Sequence, residues 1–195
     1  KRIEKMGVSF QMNTYIEDML KAKEAGGYDA LFVAVGAQRA RTLDIPGDGG
    51  IAVVNAIDVL RQFENSADGG ELSLGGKVVI YGGGNVAMDV ARSAVRLGAA
   101  VQMVVLESRE QMPAHDFEVK EALEEGCQIQ PLRTIARVEK GALVLEEMAL
   151  DTQGKPQPTG RFESLQADTV VLAIGQEVET HLVEGIDGVS VRDGV

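Results

Sequence analysis

The sequence predicts an α/β fold built around a parallel β-sheet, and three observations lead to this prediction. Short, continuous apolar runs end at glycine, which is typical of strands buried on both faces. Segments with helical spacing of small and apolar residues lie between several of these runs. A strand–helix–strand pattern over residues 77–106 has the length that a parallel crossover requires.

The N-terminal part of the chain predicts two strands and a helix. Residues 7–12 alternate apolar and polar side chains, which is typical of a half-buried strand. Helical spacing over residues 16–23 predicts a helix that ends at Gly26 and Gly27. Residues 30–35 form a continuous apolar run, so we expect a strand buried on both faces.

The central part contains the clearest pattern. Prolines and glycines at 46–50 predict a loop, which a short helix over 55–63 and a polar, glycine-rich loop over 65–76 follow. The predicted βαβ unit then consists of a strand at 77–81, a glycine turn at 82–84, a helix at 85–97 and a strand at 101–106. The helix has small residues on one side (Ala87, Ala91 and Ala94), as close packing on a sheet requires.

The C-terminal part predicts further elements of both kinds. They are a helix at 116–125, a strand at 127–130, antiparallel strands over 132–150 around Gly141, a hairpin or loop at 151–161 and a buried strand at 168–174. The parallel sheet is therefore expected to carry an antiparallel meander as an insertion.

Composition and charge exclude several classes of function. A net charge of -11 and an aromatic content of 4% without Trp argue against binding to nucleic acid. No apolar run approaches the length of a membrane helix, so no membrane partner is expected. Cys127 is the single cysteine, and it indicates a reducing, cytoplasmic location. His115 and His181 are far apart in the sequence, and a single cysteine cannot form a multi-cysteine site, so we expect no metal site.

The glycine turn carries the main functional motif, Gly82-x-Gly84-x-x-Ala87. The first glycine permits a tight turn, the second lets a pyrophosphate approach the backbone, and the small Ala87 permits close helix packing. Free amides and the dipole at the start of the helix then favour an anion. The predicted dinucleotide-binding residues are Gly82, Gly83, Gly84, Asn85, Val86 and Ala87. A turn that only makes a tight connection is the alternative.

The end of the second strand is expected to contact the adenosine ribose of the dinucleotide. Glu107 lies there, and a carboxylate accepts hydrogen bonds from ribose hydroxyls but repels a 2′-phosphate, which predicts NAD(H) over NADP(H). Ser108 and Arg109 complete this predicted segment. Arg109 leaves NADP(H) open, because its guanidinium would pair with a phosphate if the loop turned it inward. The alternative is that Glu107 and Arg109 are solvent-exposed side chains that bind no ligand.

Two segments share an internal pattern. Residues 28–36 and 167–175 both contain Asp, four further residues, Ala, one residue and Gly. Either buried strands simply resemble one another, or the chain contains equivalent strands from two nucleotide-binding halves.

A longer set of motifs resembles a known family. The set comprises Gly82-Gly-Gly-Asn-Val-Ala-Met-Asp-Val-Ala-Arg92, Leu97-Gly98-Ala99, Met112-Pro113-Ala114 and Glu124-Glu125-Gly126, with Leu43-x-Ile45-Pro46-Gly47 upstream and Ala173-Ile174-Gly175-Gln176 downstream. Together these motifs resemble the glutamate synthase small subunit family, whose members are flavoproteins related to the pyridine nucleotide-disulfide oxidoreductases. The resemblance covers nearly the whole chain.

This resemblance implies a Rossmann-like NAD(P)H-binding domain inserted into a split FAD-binding domain. Residues 48–175 would form the NAD(P)H-binding domain, and residues 1–47 and 176–195 would be remnants of the FAD-binding domain. The family's FAD fingerprint and its late Gly-Asp motif do not occur in the 195 residues. These residues alone are therefore expected to bind FAD poorly and to be inactive, with FAD present in the full-length protein.

The implied activity is hydride transfer from a nicotinamide dinucleotide to FAD, for which no catalytic acid or base is required. Ala173, Ile174, Gly175 and Gln176 are expected near the nicotinamide end. Many family members carry two arginines where this chain has Leu106-Glu107, which agrees with a preference for NADH. Expected partners are the missing FAD-domain segments and an iron–sulfur or catalytic domain or subunit. The alternative function is a non-catalytic dinucleotide-binding module, either redox-sensing or structural.

Overall fold

The computed structural model describes residues 2–47, 49–65 and 73–192. These residues form two compact units, one within residues 1–39 and 177–195, the other within residues 40–176. This division by packing differs from the boundary at residues 47 and 48 predicted from the sequence, and the assignment of the outer segments to a flavin domain stays a prediction. No helix in the described residues has the length and apolar character needed to cross a lipid bilayer.

The first unit contains the predicted N-terminal helix, α1 (Met19–Gly26). The helix begins after Asp18, whose carboxylate accepts a hydrogen bond of 3.0 Å from the backbone N–H of Lys21. It ends at Gly27, which has the left-handed backbone conformation typical of a helix C-cap. The helix prediction is therefore confirmed.

Both strands predicted in the first unit are wrong. Residues 7–12 and 30–35 contain no strand, and their large apolar side chains are exposed, with Phe32 at 93% and Val33 at 43%. The physical reason is the lack of neighbours, because a strand needs hydrogen-bond partners along its edges. The described part of this unit offers residues 7–12 and 30–35 no adjacent strand.

The larger unit is built on a five-stranded parallel sheet in the order β2-β9-β3-β4-β5. A short pair of strands, β1 (Arg39–Ala40) and β10 (Gln176–Glu177), lies where the chain passes between the units. The five strands of the main sheet are β2 (Ala52–Asn55), β3 (Lys77–Tyr81), β4 (Ala100–Val104), β5 (Gln128–Gln130) and β9 (Thr169–Leu172). The predicted parallel sheet and α/β class are thus confirmed.

Three helices contribute to the apolar core on one face of this sheet, namely α2 (Ala56–Asn65), α3 (Asn85–Arg96) and α4 (Asp116–Glu124). The small side of α3 packs inward as predicted, because Ala87, Ala91 and Ala94 are fully buried. Their lack of long side chains brings the helix close to the sheet. Val78 and Ile80 of β3 belong to the same apolar core.

A second apolar core lies between the parallel sheet and an antiparallel sheet. The antiparallel strands are β6 (Arg133–Glu139), β7 (Ala142–Leu150) and β8 (Pro156–Gln166), in that order. Leu143 and Leu145 of this sheet pack with Val79 and Val170 of the parallel sheet. Strands β3 and β9 therefore lie between two apolar layers, which explains their continuous apolar sequences.

Besides the two-residue strands β1 and β10, the sequence missed β2 and β8. β2 follows a glycine-rich loop and is too short to stand out from it. β8 contains Pro156, Pro158 and Gly160, which favoured the prediction of a hairpin or loop over 151–161. Proline is tolerated in β8 because an edge strand pairs on one side only. The predicted loop at 65–76 lies partly outside the described residues, since 66–72 are not among them.

Candidate dinucleotide-binding site

A cleft of about 650 Å³ opens at the carboxyl ends of β3 and β9. In the sheet, β3 lies between β9 and β4. Helix α3 connects β3 to β4 on one side, whereas no helix connects β3 directly to β9 on the other. In open α/β sheets, ligands bind in the crevice that forms where the order of the strands reverses. The lining residues are Ala40, Ala56, Ile57, Tyr81, Gly82, Gly83, Gly84, Asn85, Val86, Leu106, Glu107, Pro113, Leu172, Ala173, Ile174, Gly175 and Gln176.

The first glycine of the turn is required by the fold itself. Gly82 has a φ of 137°, which side-chain-bearing residues rarely adopt. A Cβ atom at Gly82 would lie 2.3 Å from the carbonyl oxygen of Ala173. The turn is fixed there by two backbone hydrogen bonds, from Gly82 to Val104 at 3.0 Å and from Ala173 to Tyr81 at 2.8 Å. Glycine at 82 therefore permits the close approach of β3 and β9.

Gly84 differs, because nothing in the described protein requires a glycine there. Its φ of -91° and ψ of 175° suit any residue. A Cβ atom at this position would meet only the Cγ atom of Pro113, at 4.0 Å. The side chain missing from Gly84 thus leaves space within the cleft, where a ligand can approach the backbone.

The same glycine leaves the start of α3 without a side-chain cap. Gly84 is the N-cap residue, and no side chain accepts a hydrogen bond from the first turn. Within the described part of the chain, the amides of Asn85 and Val86 have no hydrogen-bond acceptor. Free amides and a positive helix end form an anion site, roughly equivalent to half an elementary charge.

In the segment after β4, one charged side chain lines the cleft and another does not. Glu107 is half-buried and lines the cleft, and among the described lining residues it alone carries a charge. Arg109 is outside the lining, with its Nη1 atom 3.8 Å from the sulfur of Met112. The Ser108 hydroxyl donates to a carboxylate oxygen of Glu110 at 3.0 Å. The pKa of Glu110 is lowered, first by a hydrogen bond from its own backbone N–H and second by this bond from Ser108.

The cleft brings together most of the residues that the sequence predicted for the site. Gly82 to Val86, Glu107 and Ala173 to Gln176 line it, whereas Ala87, Ser108 and Arg109 do not. Ala87 is buried beneath the turn, where it packs in the core between α3 and the sheet. The binding roles of all these residues stay predictions.

Sequence reasoning missed the part of the wall that comes from other elements. Ala56 and Ile57 reach the cleft from the start of α2, and Ala40 belongs to β1. The apolar run Ile51-Ala52-Val53-Val54, ahead of a predicted helix, could have indicated a second strand–helix boundary at the same sheet edge. Ala40 had no comparable signal, because only pairing places it there.

The lining of the cleft is suited to binding and orienting a ligand. No His, Cys or Lys is among the described residues that line the cleft. Its walls are mostly apolar, with polar groups at Asn85, Glu107 and Gln176. Clefts with mostly apolar walls and a few polar groups are typical of small-molecule binding sites in proteins.

The sequence of the chain is similar to those of known oxidoreductases. The model of the pyridine nucleotide-disulphide oxidoreductase family matches residues 1–195. The chain is 35% identical to the glutamate synthase (NADPH) small chain of Halomonas elongata, across 88% of this chain and 40% of the relative. It is 33% identical to the beta subunit of the NADP(+)-dependent formate dehydrogenase of Moorella thermoacetica, across 94% of this chain and 28% of the relative. The chain thus spans less than half the length of either relative.

A solved structure supports the fold. Mycobacterium tuberculosis FprA in complex with NADPH matches with a TM-score of 0.63 and 20% identity, over 81% of this chain and 52% of that chain. The resemblance to the glutamate synthase small subunit is confirmed by the sequence comparison. The chain belongs to the pyridine nucleotide-disulphide oxidoreductase family.

Proposed function

We propose that this chain is the coenzyme-binding part of a flavin-dependent oxidoreductase, and that it positions NADH for hydride transfer to FAD. The observation that carries the proposal is Gly84, whose missing side chain opens the cleft although the fold does not require it. Space beside uncapped amides at a helix start suits a diphosphate, which needs close approach to the backbone.

The residues of the cleft take distinct roles in this proposal. The backbone amides of Asn85 and Val86 donate to the diphosphate, and Gly84 gives it room. Ala173 to Gln176 form the opposite wall and lie towards the nicotinamide. The nicotinamide supplies the hydride when it is bound, and the chain contributes orientation and exclusion of water.

Glu107 supports the preference for NADH. It provides the single charge among the described lining residues, and its carboxylate suits the ribose hydroxyls. A 2′-phosphate would face this carboxylate, while Arg109 lies outside the lining. Several relatives are named for NADPH or NADP(+), so this chain would differ from them in coenzyme.

We further propose that residues 1–47 and 176–195 belong to an FAD-binding domain completed by other segments. Exposed apolar side chains in the first unit support this, because a run such as Leu31 to Val35 normally requires cover. The greater length of the relatives supports it as well. Electrons would then pass to an iron–sulfur or catalytic partner. Two relatives are named as beta subunits of oxidoreductases, which supports a further subunit.

A glycine pair tests the binding site directly. Gly84→Ser should weaken NADH binding at least tenfold, about 1.4 kcal/mol, because the new side chain fills the cradle. It should also raise the free energy of unfolding by about 0.5 kcal/mol, because serine caps α3. Gly82→Ala is the comparison for stability, and it should lower the free energy of unfolding by about 3 kcal/mol through its clash with the carbonyl group of Ala173.

Calorimetric titration and chemical unfolding measure both effects on the same samples. A stable Gly84→Ser variant that binds NADH like the wild type would contradict the proposed site.

A charge reversal tests the choice of coenzyme. The wild type should bind NADH about tenfold more tightly than NADPH, since like charges disfavour the 2′-phosphate. Glu107→Arg should remove or invert this ratio. Glu124→Arg makes the same change of charge at an exposed position of α4, outside the cleft lining, and should leave the ratio unchanged. A wild type that prefers NADPH would overturn the NADH assignment while leaving the site itself intact.

The oxidoreductase role requires the full-length protein with its flavin. NADH should bleach the flavin absorbance under anaerobic conditions, and Gly84→Ser should slow bleaching at low NADH concentration. If NADH binds and the flavin stays oxidised, the chain serves as a non-catalytic dinucleotide module instead.

A further inference from the structure

One side-chain hydrogen bond joins the loop that carries Glu107 and Arg109 to the glycine turn. This β4–α4 loop comprises residues 105–115 and ends at His115, the N-cap residue of α4. The carboxamide oxygen of Asn85 accepts a hydrogen bond of 2.9 Å from the backbone N–H of His115. Because an N–H group donates, the oxygen of the carboxamide must face it, and the Nδ2 group is left as a donor.

Backbone contacts complete the attachment. The N–H of Ala114 donates to the carbonyl oxygen of Gly83 at 3.0 Å. Val105 fills the space beside Gly83, where a Cβ atom would lie 2.7 Å from its Cγ1. Among the described residues, Asn85 supplies the only side-chain hydrogen bond from the turn to the loop. Substitution of Asn85 therefore removes the side-chain hydrogen bond and leaves the backbone contacts in place.

The rest of the loop is attached elsewhere. The Nε2 atom of Gln111 donates to the carbonyl oxygen of Gly154, at 2.9 Å, in the β7–β8 turn. Beyond the loop, Glu121 of α4 and Glu125 at its C-cap pair with Arg92 of α3 at 2.7 and 2.8 Å.

At the other end of the loop, the N–H of Leu132 donates to the carbonyl oxygen of Glu107 at 3.1 Å, so the start of the loop is held independently of Asn85. The bond between Asn85 and His115 holds the end of the loop.

We infer that Asn85 is a positioning residue for coenzyme selection, which acts by fixing the end of the β4–α4 loop so that Arg109 stays outside the cleft that Glu107 lines. The inference rests on the proposed dinucleotide-binding function. Glu107 lines the cleft and Arg109 does not, and the placement of the loop decides which of the two charges meets a 2′-phosphate. Loss of the attachment lets the loop sample other positions, so selectivity between NADH and NADPH falls.

The test measures the ratio of NADH to NADPH affinity in the full chain, using variants on both sides of the bond. Asn85→Ala removes the acceptor, and His115→Pro removes the donor at a residue whose φ of -63° suits proline. Each should shift the ratio about fivefold towards unity, the effect of one net hydrogen bond. The double variant should shift it no further, because both changes break the same bond.

Two conservative variants separate positioning from other roles. Asn85→Asp keeps an acceptor for the His115 amide, so it should keep the wild-type ratio while its added charge weakens both coenzymes equally. His115→Ala keeps the N–H and loses the ring that stacks on Phe117, so it too should keep the ratio. Hydrogen exchange at the His115 amide should accelerate in Asn85→Ala without any coenzyme present.

Distinct outcomes would overturn the inference. If Asn85→Ala weakens both coenzymes equally and His115→Pro changes nothing, Asn85 contacts the ligand directly and does not position the loop. If the wild type prefers NADPH, the loop does not present Glu107 in place of Arg109, and the inference fails although the binding site stands. If the wild type binds neither coenzyme, the proposed function fails, and the inference fails with it.

Discussion

Residues 28–36 and 167–175 have nearly the same sequence pattern and opposite structures. Each has Asp, four residues, Ala, one residue and Gly. In the second segment, β9 pairs with β2 on one side and β3 on the other, and Val170 is fully buried. In the first segment no strand forms and Val33 is 43% exposed. An apolar run thus becomes a buried strand only where neighbouring strands meet its backbone groups.

The comparison extends to the acid at the start of each segment. A carboxylate oxygen of Asp168 accepts hydrogen bonds from the amides of Gly76 and Lys77, at 2.8 and 2.9 Å. It therefore joins the start of β9 to the start of β3. Asp29 makes no corresponding bond within the described residues, so the shared acid has a structural role at one position only.

The largest expected difference is in hydrogen exchange. The amides of Val170 to Leu172 should be protected by a factor of about 10⁴ or more, because they open only when the larger unit unfolds. In the 195-residue chain by itself, the amides of residues 31–35 should exchange almost as fast as in an unfolded chain, because the segments proposed to cover them are absent. Exchange followed by NMR measures both segments in one sample. Equal protection would show that the first segment pairs in solution, and the contrast would disappear.

Paired charge substitutions should give the next largest difference. Val170→Asp buries an unpaired carboxylate between two sheets and should cost about 4 kcal/mol of stability. Val33→Asp lies on an exposed segment and should change stability by less than about 0.5 kcal/mol. Chemical unfolding of both variants checks this. A large loss in Val33→Asp would mean that residues 30–35 are covered.

Removal of each acid should have a smaller effect. Asp168→Ala leaves the amides of Gly76 and Lys77 without their carboxylate and should cost about 1 kcal/mol. Asp29→Ala should be neutral within the precision of thermal unfolding. A matched loss in both variants would indicate that Asp29 also joins two strands.

The smallest expected effect concerns the helix before the first segment. The backbone N–H and the ammonium group of Lys21 lower the pKa of Asp18 below its ordinary value of 3.8. Its cap on α1 therefore contributes fully above pH 3.8 and is lost as pH falls through the lowered pKa. An NMR titration should show the Lys21 amide shifting in acid, and Asp18→Asn should abolish that shift. A Lys21 amide that is insensitive to acid would argue against the cap.

Much of the larger unit was predictable because its signals are local. The apolar run at 77–81, the glycine turn and the alanine side of α3 correspond closely to the observed elements. β8 was missed because an edge strand accepts Pro156 and Pro158, which usually indicate a loop. The strands predicted at 7–12 and 30–35 failed because local pattern carries no information about neighbours.

The candidate site divides in the same way. The turn at 82–86 and Glu107 follow from one βαβ unit and could be predicted from motif spacing. Ala56 and Ile57 could not, because a different strand and helix bring them to the same edge. The bond from His115 to Asn85 also depends on packing, since it joins residues of two helices across a loop.

The amino-acid sequence alone determined the local units: the strand, glycine turn and small-sided helix around residues 77–97, and the acid that follows β4. Backbone conformation and helix packing depend on neighbours along the chain, so these units are encoded in short segments. Tertiary structure decided that β9 lies beside β3, which creates the cleft, and that Arg109 is outside it. Pairing between distant segments depends on the surfaces that the whole fold brings together.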